Sequence, residues 1–145
     1  MPPPRTDVLF LCVANSARSQ MAEGFARRFA PPGVGVHSAG SAPGRLHPLA
    51  VRAMAEVGID IAAHVSKPID AVPAECVATV VTLCADEVCP VFPGAVARRH
   101  WPFEDPAADA GDGEDAQLAR FRRVRDAIGE RVRQAFESGE LPSGA

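Results

Sequence analysis

Two runs of this chain are apolar without polar alternation: Val8-Leu9-Phe10-Leu11 and Cys76-Val77-Ala78-Thr79-Val80-Val81-Thr82-Leu83. Such runs are the pattern of parallel strands covered on both faces. Between and beyond them the apolar positions take helical spacing. Ser19–Phe29 follows the first run after a short loop, and Pro48–Val57 places Leu49, Ala53, Met54 and Val57 on one face, with Gly58 as its C-cap. A C-terminal stretch repeats Leu118, Phe121, Val124, Ile128, Val132 and Phe136. Val34–Ser38 and Arg98–Trp101 read as two shorter strands. Turn residues separate the elements: Pro31-Pro32-Gly33, the loop Ala39–Leu46 with Gly40, Pro43 and Gly44, and a polar loop from Glu104 to Asp115. The alternation of strand and helix predicts one domain over residues 1–145. Its class is α/β, a three-layer sandwich around a small parallel sheet of about four strands.

Composition narrows the function without choosing it. At 145 residues the chain is long enough to bury a core, and its net charge of −3 gives no basis for nucleic-acid binding. No apolar run reaches the 18 or more residues of a membrane span. The stretch Val8–Ala14 is at the short limit for the apolar core of a secretory signal, so a cytoplasmic protein is expected. Four cysteines (Cys12, Cys76, Cys84, Cys89) in a signal-free chain are catalytic, metal-binding or simply buried. Cys84 and Cys89 lack a second paired cluster, and His37, His47, His64 and His100 are scattered, so neither metal nor cofactor is expected.

The candidate chemistry sits where the first strand ends. Cys12-Val13-Ala14-Asn15-Ser16-Ala17-Arg18-Ser19 joins a buried strand to a helix, and such a junction leaves backbone N–H groups free at a helix N-terminus. Small residues (Ala14, Ser16, Ala17) let the backbone curl around an oxyanion, and Arg18 supplies a planar, bidentate charge. Cys12 beside that positive potential is favoured as thiolate, the nucleophilic form. Val13 to Ser19 form the binding loop. Asp105, between Phe103 and Pro106, is a candidate general acid for a departing oxygen.

The loop resembles the phosphate-binding loop of the low-molecular-weight protein tyrosine phosphatase superfamily. The longer string FLCVANSARSQMAEG is similar to the thioredoxin-coupled arsenate reductases within it. The likeness continues at His37-Ser38-Ala39-Gly40, at Cys84 and Cys89, and at Asp105-Pro106. It implies reduction of arsenate to arsenite by Cys12, Cys84 and Cys89 in relay, with Arg18 binding the oxyanion, Asp105 as acid and thioredoxin as reductant. It also implies that Asn15 and Ser19 shape the loop and hydrogen-bond the sulfur. Asn15, Glu23 and Ser38 match positions that, with an aspartate, hold potassium in some members. Lys67, the only lysine here, stands where that aspartate is expected, and its ammonium is predicted to lie near Glu23 as a built-in cation. A solvated linker lysine is the bland reading. In these reductases the second and third cysteines stand about two residues further apart than Cys84 and Cys89.

Were residues 84–89 a regular helix, those Cα atoms would be roughly 8–9 Å apart. A disulfide spans up to about 7 Å. The segment must therefore be a loop or unwind on oxidation, as Pro90, Pro93 and Gly94 permit. The chain has no tyrosine, and Ala107 stands where many of the phosphatases carry one after the Asp-Pro pair. A monomer is expected. The alternatives are a tyrosine phosphatase and a non-catalytic oxyanion or redox sensor.

Overall fold

The structure is a computed structural model that describes residues 5–85, 90–94, 96–108 and 110–143. Four parallel strands form one sheet in the order β2-β1-β3-β4. They are β1 (Asp7–Cys12), β2 (Val36–Gly40), β3 (Val77–Thr82) and β4 (Ala97–His100). Among the described residues three α-helices accompany them: α1 (Arg18–Phe29), α2 (Pro48–Glu56) and α3 (Glu114–Ser138). The α/β class with a four-stranded parallel sheet thus matches the sequence expectation.

Side-chain alternation divides β1 between two cores. Val8 and Phe10 face the helices, in a cluster with Met21 and Phe25 of α1, Met54 of α2 and Phe121 and Ile128 of α3. Leu9 and Leu11 face the other way, against Val80, Val72 and Phe92. Among the described residues that second face is covered by short 3-10 turns (Ile69–Ala71, Ala74–Cys76) and loop, not by α-helix. Each large side chain fully buried in these clusters contributes on the order of 1.5–3 kcal/mol. Helices α2 and α3 are further tied by Glu56, which accepts from both Arg122 and Arg125.

Several boundaries differ from the sequence reading for local reasons. β2 starts at Val36, two residues later than expected, because Val34 donates to Pro31 O in a turn and Gly35 donates to Asp7 Oδ1. It continues through Ala39 and Gly40, expected as loop, because their register partners are Leu11 and Cys12. Cys76 belongs to a 3-10 turn, so β3 opens at Val77. Glu114 and Asp115, expected in the polar loop, form the first turn of α3, where acidic side chains complement the helix N-terminus. No described helix is long and apolar enough to cross a membrane.

Candidate active site

Cys12 ends β1 at the C-terminal edge of the sheet, where open α/β sheets gather their chemistry. Helix α1 begins six residues later, and its N-cap, Ala17, makes no side-chain bond to the helix. The first N–H groups of α1 are therefore available to an anion. The carbonyl oxygens of the loop are taken from outside. Val13 O accepts from Ala42 N–H at 2.9 Å, Ala14 O from Gly44 N–H at 3.0 Å, and Ser16 O from His47 N–H at 2.9 Å. Asn15 O accepts from Ser66 Oγ at 2.6 Å and from Gln20 Nε2 at 3.2 Å. With its acceptors turned outward, the loop presents donors inward.

Asn15 organises what lies behind the sulfur. It sits at φ 51, the one left-handed non-glycine residue among those described. Its Oδ1 accepts from Gln20 Nε2 and from Lys67 N–H, both at 3.1 Å, which fixes the amide orientation. Nδ2 then donates to Ser19 Oγ at 2.7 Å and to Ser38 Oγ at 3.0 Å. Ser38 Oγ in turn donates to Glu23 Oε1 at 2.6 Å. Ser19 Oγ, which accepts from Asn15, lies 2.9 Å from Cys12 Sγ, and its hydroxyl hydrogen can serve a thiolate there. A hydrogen-bonded chain therefore runs from Asn15 to the nucleophile. Its far end is anchored on Glu23, which is 3% exposed.

Burial pushes the Glu23 carboxyl up, but the Ser38 hydroxyl and the Lys67, Arg27 and His64 cations outweigh it and hold the group below its ordinary value. Lys67 Nζ lies 3.7 Å from Glu23 Oε1, so the predicted proximity is found. His64 Nδ1 donates to Gln20 Oε1 at 3.0 Å, and burial pushes its imidazole down against the pull of Glu23.

Cys12, Val13, Ala14, Ser16, Ala17, Arg18, Asp105 and Ala107 line one cavity of about 280 Å³. Arg18 is 6% exposed, and its Nη1 donates to Phe103 O at 2.9 Å. The guanidinium thus ties the loop to the segment that carries Asp105. Asp105 is exposed, with Oδ1 accepting from Ala107 N–H at 3.0 Å in a local turn. His47 caps α2 through Nδ1, which accepts from Leu49 N–H. Its ring packs on Phe121 at 4.7 Å, and burial lowers its basicity while the Asp105 charge works the other way.

Cys84 follows β3, next to Leu83, whose N–H donates to Leu11 O at 2.9 Å. Cys84 and Cys12 therefore leave neighbouring strands at the same sheet edge. Cys84 is buried and disulfide-bonded, whereas Cys12 and Cys76 are free. Cys89, expected as the third thiol, lies outside the described residues.

The sequence reading missed the outer brace. Ala42, Gly44, His47 and Ser66 hold the loop carbonyls, and Phe103 O holds Arg18. His47 before Pro48 did carry a signal, since it occupies the N-cap position of a helix that opens with proline.

Residues 7–141 match the family described as low molecular weight phosphotyrosine protein phosphatase. An arsenate reductase of Bacillus licheniformis is 46% identical over 135 residues, covering 92% of this chain and 96% of its own. A solved arsenate reductase in the phosphate binding state is similar at TM-score 0.76 and 37% identity, with 92% of this chain and 98% of that one covered. A thioredoxin-dependent arsenate reductase of Corynebacterium glutamicum gives TM-score 0.70 and 30% identity, covering 97% of this chain and 64% of that one.

Proposed function

Because the chain belongs to the low molecular weight phosphotyrosine protein phosphatase family, we infer that its inward-facing loop reduces arsenate to arsenite. The observation that carries this is the placement, at the same end of adjacent strands, of a free Cys12 in an anion loop and a disulfide-bonded Cys84 just beyond β3. A phosphatase needs only the first.

The proposed sequence balances as follows. Arsenate enters the cavity and is held by the loop N–H groups of Val13 to Ser19 and by the Arg18 fork. The Cys12 thiolate attacks arsenic, while protonated Asp105 gives its proton to the departing oxygen, which leaves as water. Ser19 stabilises Cys12 as thiolate before attack and when it departs later. The Cys84 thiolate then attacks the Cys12 sulfur. The sulfur–arsenic bond breaks with its electron pair kept by arsenic, which leaves as arsenite. Cys89 attacks Cys84, Cys12 departs as thiolate, and a Cys84–Cys89 disulfide remains. Thioredoxin, the dithiol of this reading, supplies two electrons and closes the cycle. The enzyme acts as a cytoplasmic monomer without a resident metal or cofactor.

The test is arsenite production by the purified protein with thioredoxin, thioredoxin reductase and NADPH. Stoichiometric arsenite and NADPH oxidation are expected. Hydrolysis of aryl phosphate without any arsenite would instead assign the site to a phosphatase, the activity the family name carries.

A further inference from the structure

The far edge of the sheet carries a second feature that the reaction at Cys12 does not use. Among the described residues β4 pairs with β3 alone, and all four of its residues, Ala97 to His100, are exposed. Between β3, β4 and the segment after residue 89 lies a cavity of about 300 Å³, lined among others by Val80, Thr82, Val91, Phe92, Arg98 and His100. Val80 and Phe92 are buried and make an apolar floor, while Val91 stands on the rim at 80% exposure. Thr82 Oγ1 meets His100 Nδ1 at 2.7 Å.

Two adjacent arginines give this edge its charge. Each of the six arginines of α3 meets a carboxylate. Arg98 and Arg99 bond only backbone carbonyls among the described residues, at Gly94 and at Arg98 itself. Two guanidinium groups without acidic partners among the described residues, beside an apolar pocket on a protein of net charge −3, form a local positive field. Position matters as much. Val80 and Thr82 alternate along β3 onto the face away from the helices, and continuing that step by two residues reaches Cys84. Thr82 and Pro90, which both line the cavity, stand two residues before Cys84 and one after Cys89 in the chain.

We propose that this groove docks the dithiol protein that reduces the disulfide of Cys84. It recognises a partner whose thiol-bearing rim offers a carboxylate next to an apolar side chain. The carboxylate meets the forks of Arg98 and Arg99, the apolar group enters beside Val91 and Phe92, and the partner backbone lies along the unpaired edge of β4. An edge of main-chain groups suits a polypeptide, which sets this occupant apart from a small thiol. The proposal rests on the disulfide relay argued above.

The experiment compares two reductants of the whole protein. With thioredoxin, its reductase and NADPH, the variant Arg98→Glu/Arg99→Glu should raise KM for thioredoxin about tenfold or more, as reversed charge at a steered interface does. Added salt should raise that KM in the unaltered protein and leave the variant nearly flat. With dithiothreitol, which needs no docking, arsenate turnover should be unchanged. Val91→Ser should raise KM for thioredoxin without altering the salt response. Should the double variant lose its melting transition, Arg98→Gln and Arg99→Gln carry the same comparison. An unchanged KM for thioredoxin, a KM indifferent to salt, or an equal loss with dithiothreitol would overturn the docking site. Failure of the relay looks different, because the unaltered protein would then turn over arsenate with neither reductant.

Discussion

The loop after β1 and the edge formed by β4 serve the two halves of one reaction and are built in opposite ways. In the loop, the carbonyls of Val13, Ala14, Asn15 and Ser16 all have protein donors, and Asn15 uses both its amide hydrogens and its oxygen. At the edge, four consecutive residues are exposed and two arginines meet no carboxylate among the described residues. Holding a tetrahedral oxyanion rewards donors fixed in advance, since they need no reorganisation as charge moves. Passing electrons to another protein rewards groups left unsatisfied until the partner arrives. One side is finished, the other is open.

The largest effects are expected in the finished half. Cys12→Ser should abolish arsenate-dependent NADPH oxidation while arsenate still binds, because the loop amides and Arg18 remain. Calorimetric binding without turnover checks both statements, and persistent turnover would break the assignment. Arg18→Lys should lower turnover by about a hundredfold or more, since a point charge cannot copy the fork.

Next comes the division between the halves. Cys84→Ser and Cys89→Ser should each eliminate arsenite formation yet leave any aryl phosphate hydrolysis within about threefold, as that chemistry uses only Cys12, Arg18 and Asp105. Parallel loss of both activities would mean that the two halves are not separable.

Space around the loop gives a stability contrast. A Cβ on Gly40 would lie 2.3 Å from Val13 O, backbone against backbone, whereas one on Gly111 meets nothing within 4 Å. Gly40→Ala should therefore cost about 2–3 kcal/mol and Gly111→Ala less than about 0.5 kcal/mol. Denaturant melts of the two variants measure the difference directly.

Acidification tests the anchor. Burial raises the Glu23 carboxyl, but Ser38, Lys67, Arg27 and His64 bring it below its ordinary 4.5. Glu56 is held at about 2 by Arg122 and then Arg125. A group depressed in the folded state stabilises fully above its unfolded value and loses that contribution as pH falls. His47 and His64, depressed by burial from 6.5, act in the same direction at higher pH. The melting temperature should thus fall from below about pH 6.5 and again below about pH 4.5, and Glu23→Gln should flatten the lower step. A melting temperature that rises on acidification would contradict this.

The smallest effect concerns Lys67. Exchanging sodium for potassium should leave turnover unchanged, and Lys67→Ala should cost under about 1 kcal/mol, in keeping with a partly exposed pair. A Lys67→Ala protein with normal stability and turnover would return this residue to the solvated linker.

What could be read from the sequence follows the same division. Apolar runs announced β1 and β3 because strands buried on both faces leave no polar alternation, and Cys12 to Ser19 stood out by residue type and order. The brace did not, because Ala42, Gly44 and His47 act through main-chain N–H groups, and any residue but proline has one. The ends of β2 were misjudged for a similar reason. Its pairing with Leu11 and Cys12 is a property of two distant segments, and nothing in Ala39-Gly40 alone encodes it. Lys67 beside Glu23 was legible only through the resemblance, and the exposed Arg98-Arg99 pair on the edge strand only through the sheet order.

The molecule also carries its own optical probe. Trp101 is its only tryptophan, is 5% exposed, and has the Arg131 guanidinium 4.3 Å above its ring. Its backbone N–H bonds Thr82 O, and two residues later Phe103 O receives Arg18. An oxyanion that recruits the Arg18 fork is expected to change its bond to Phe103 O, two residues from the indole. Emission from a single, shielded fluorophore should then report occupancy of the loop in real time, without label or coupled enzyme, and in the same cuvette in which turnover is followed.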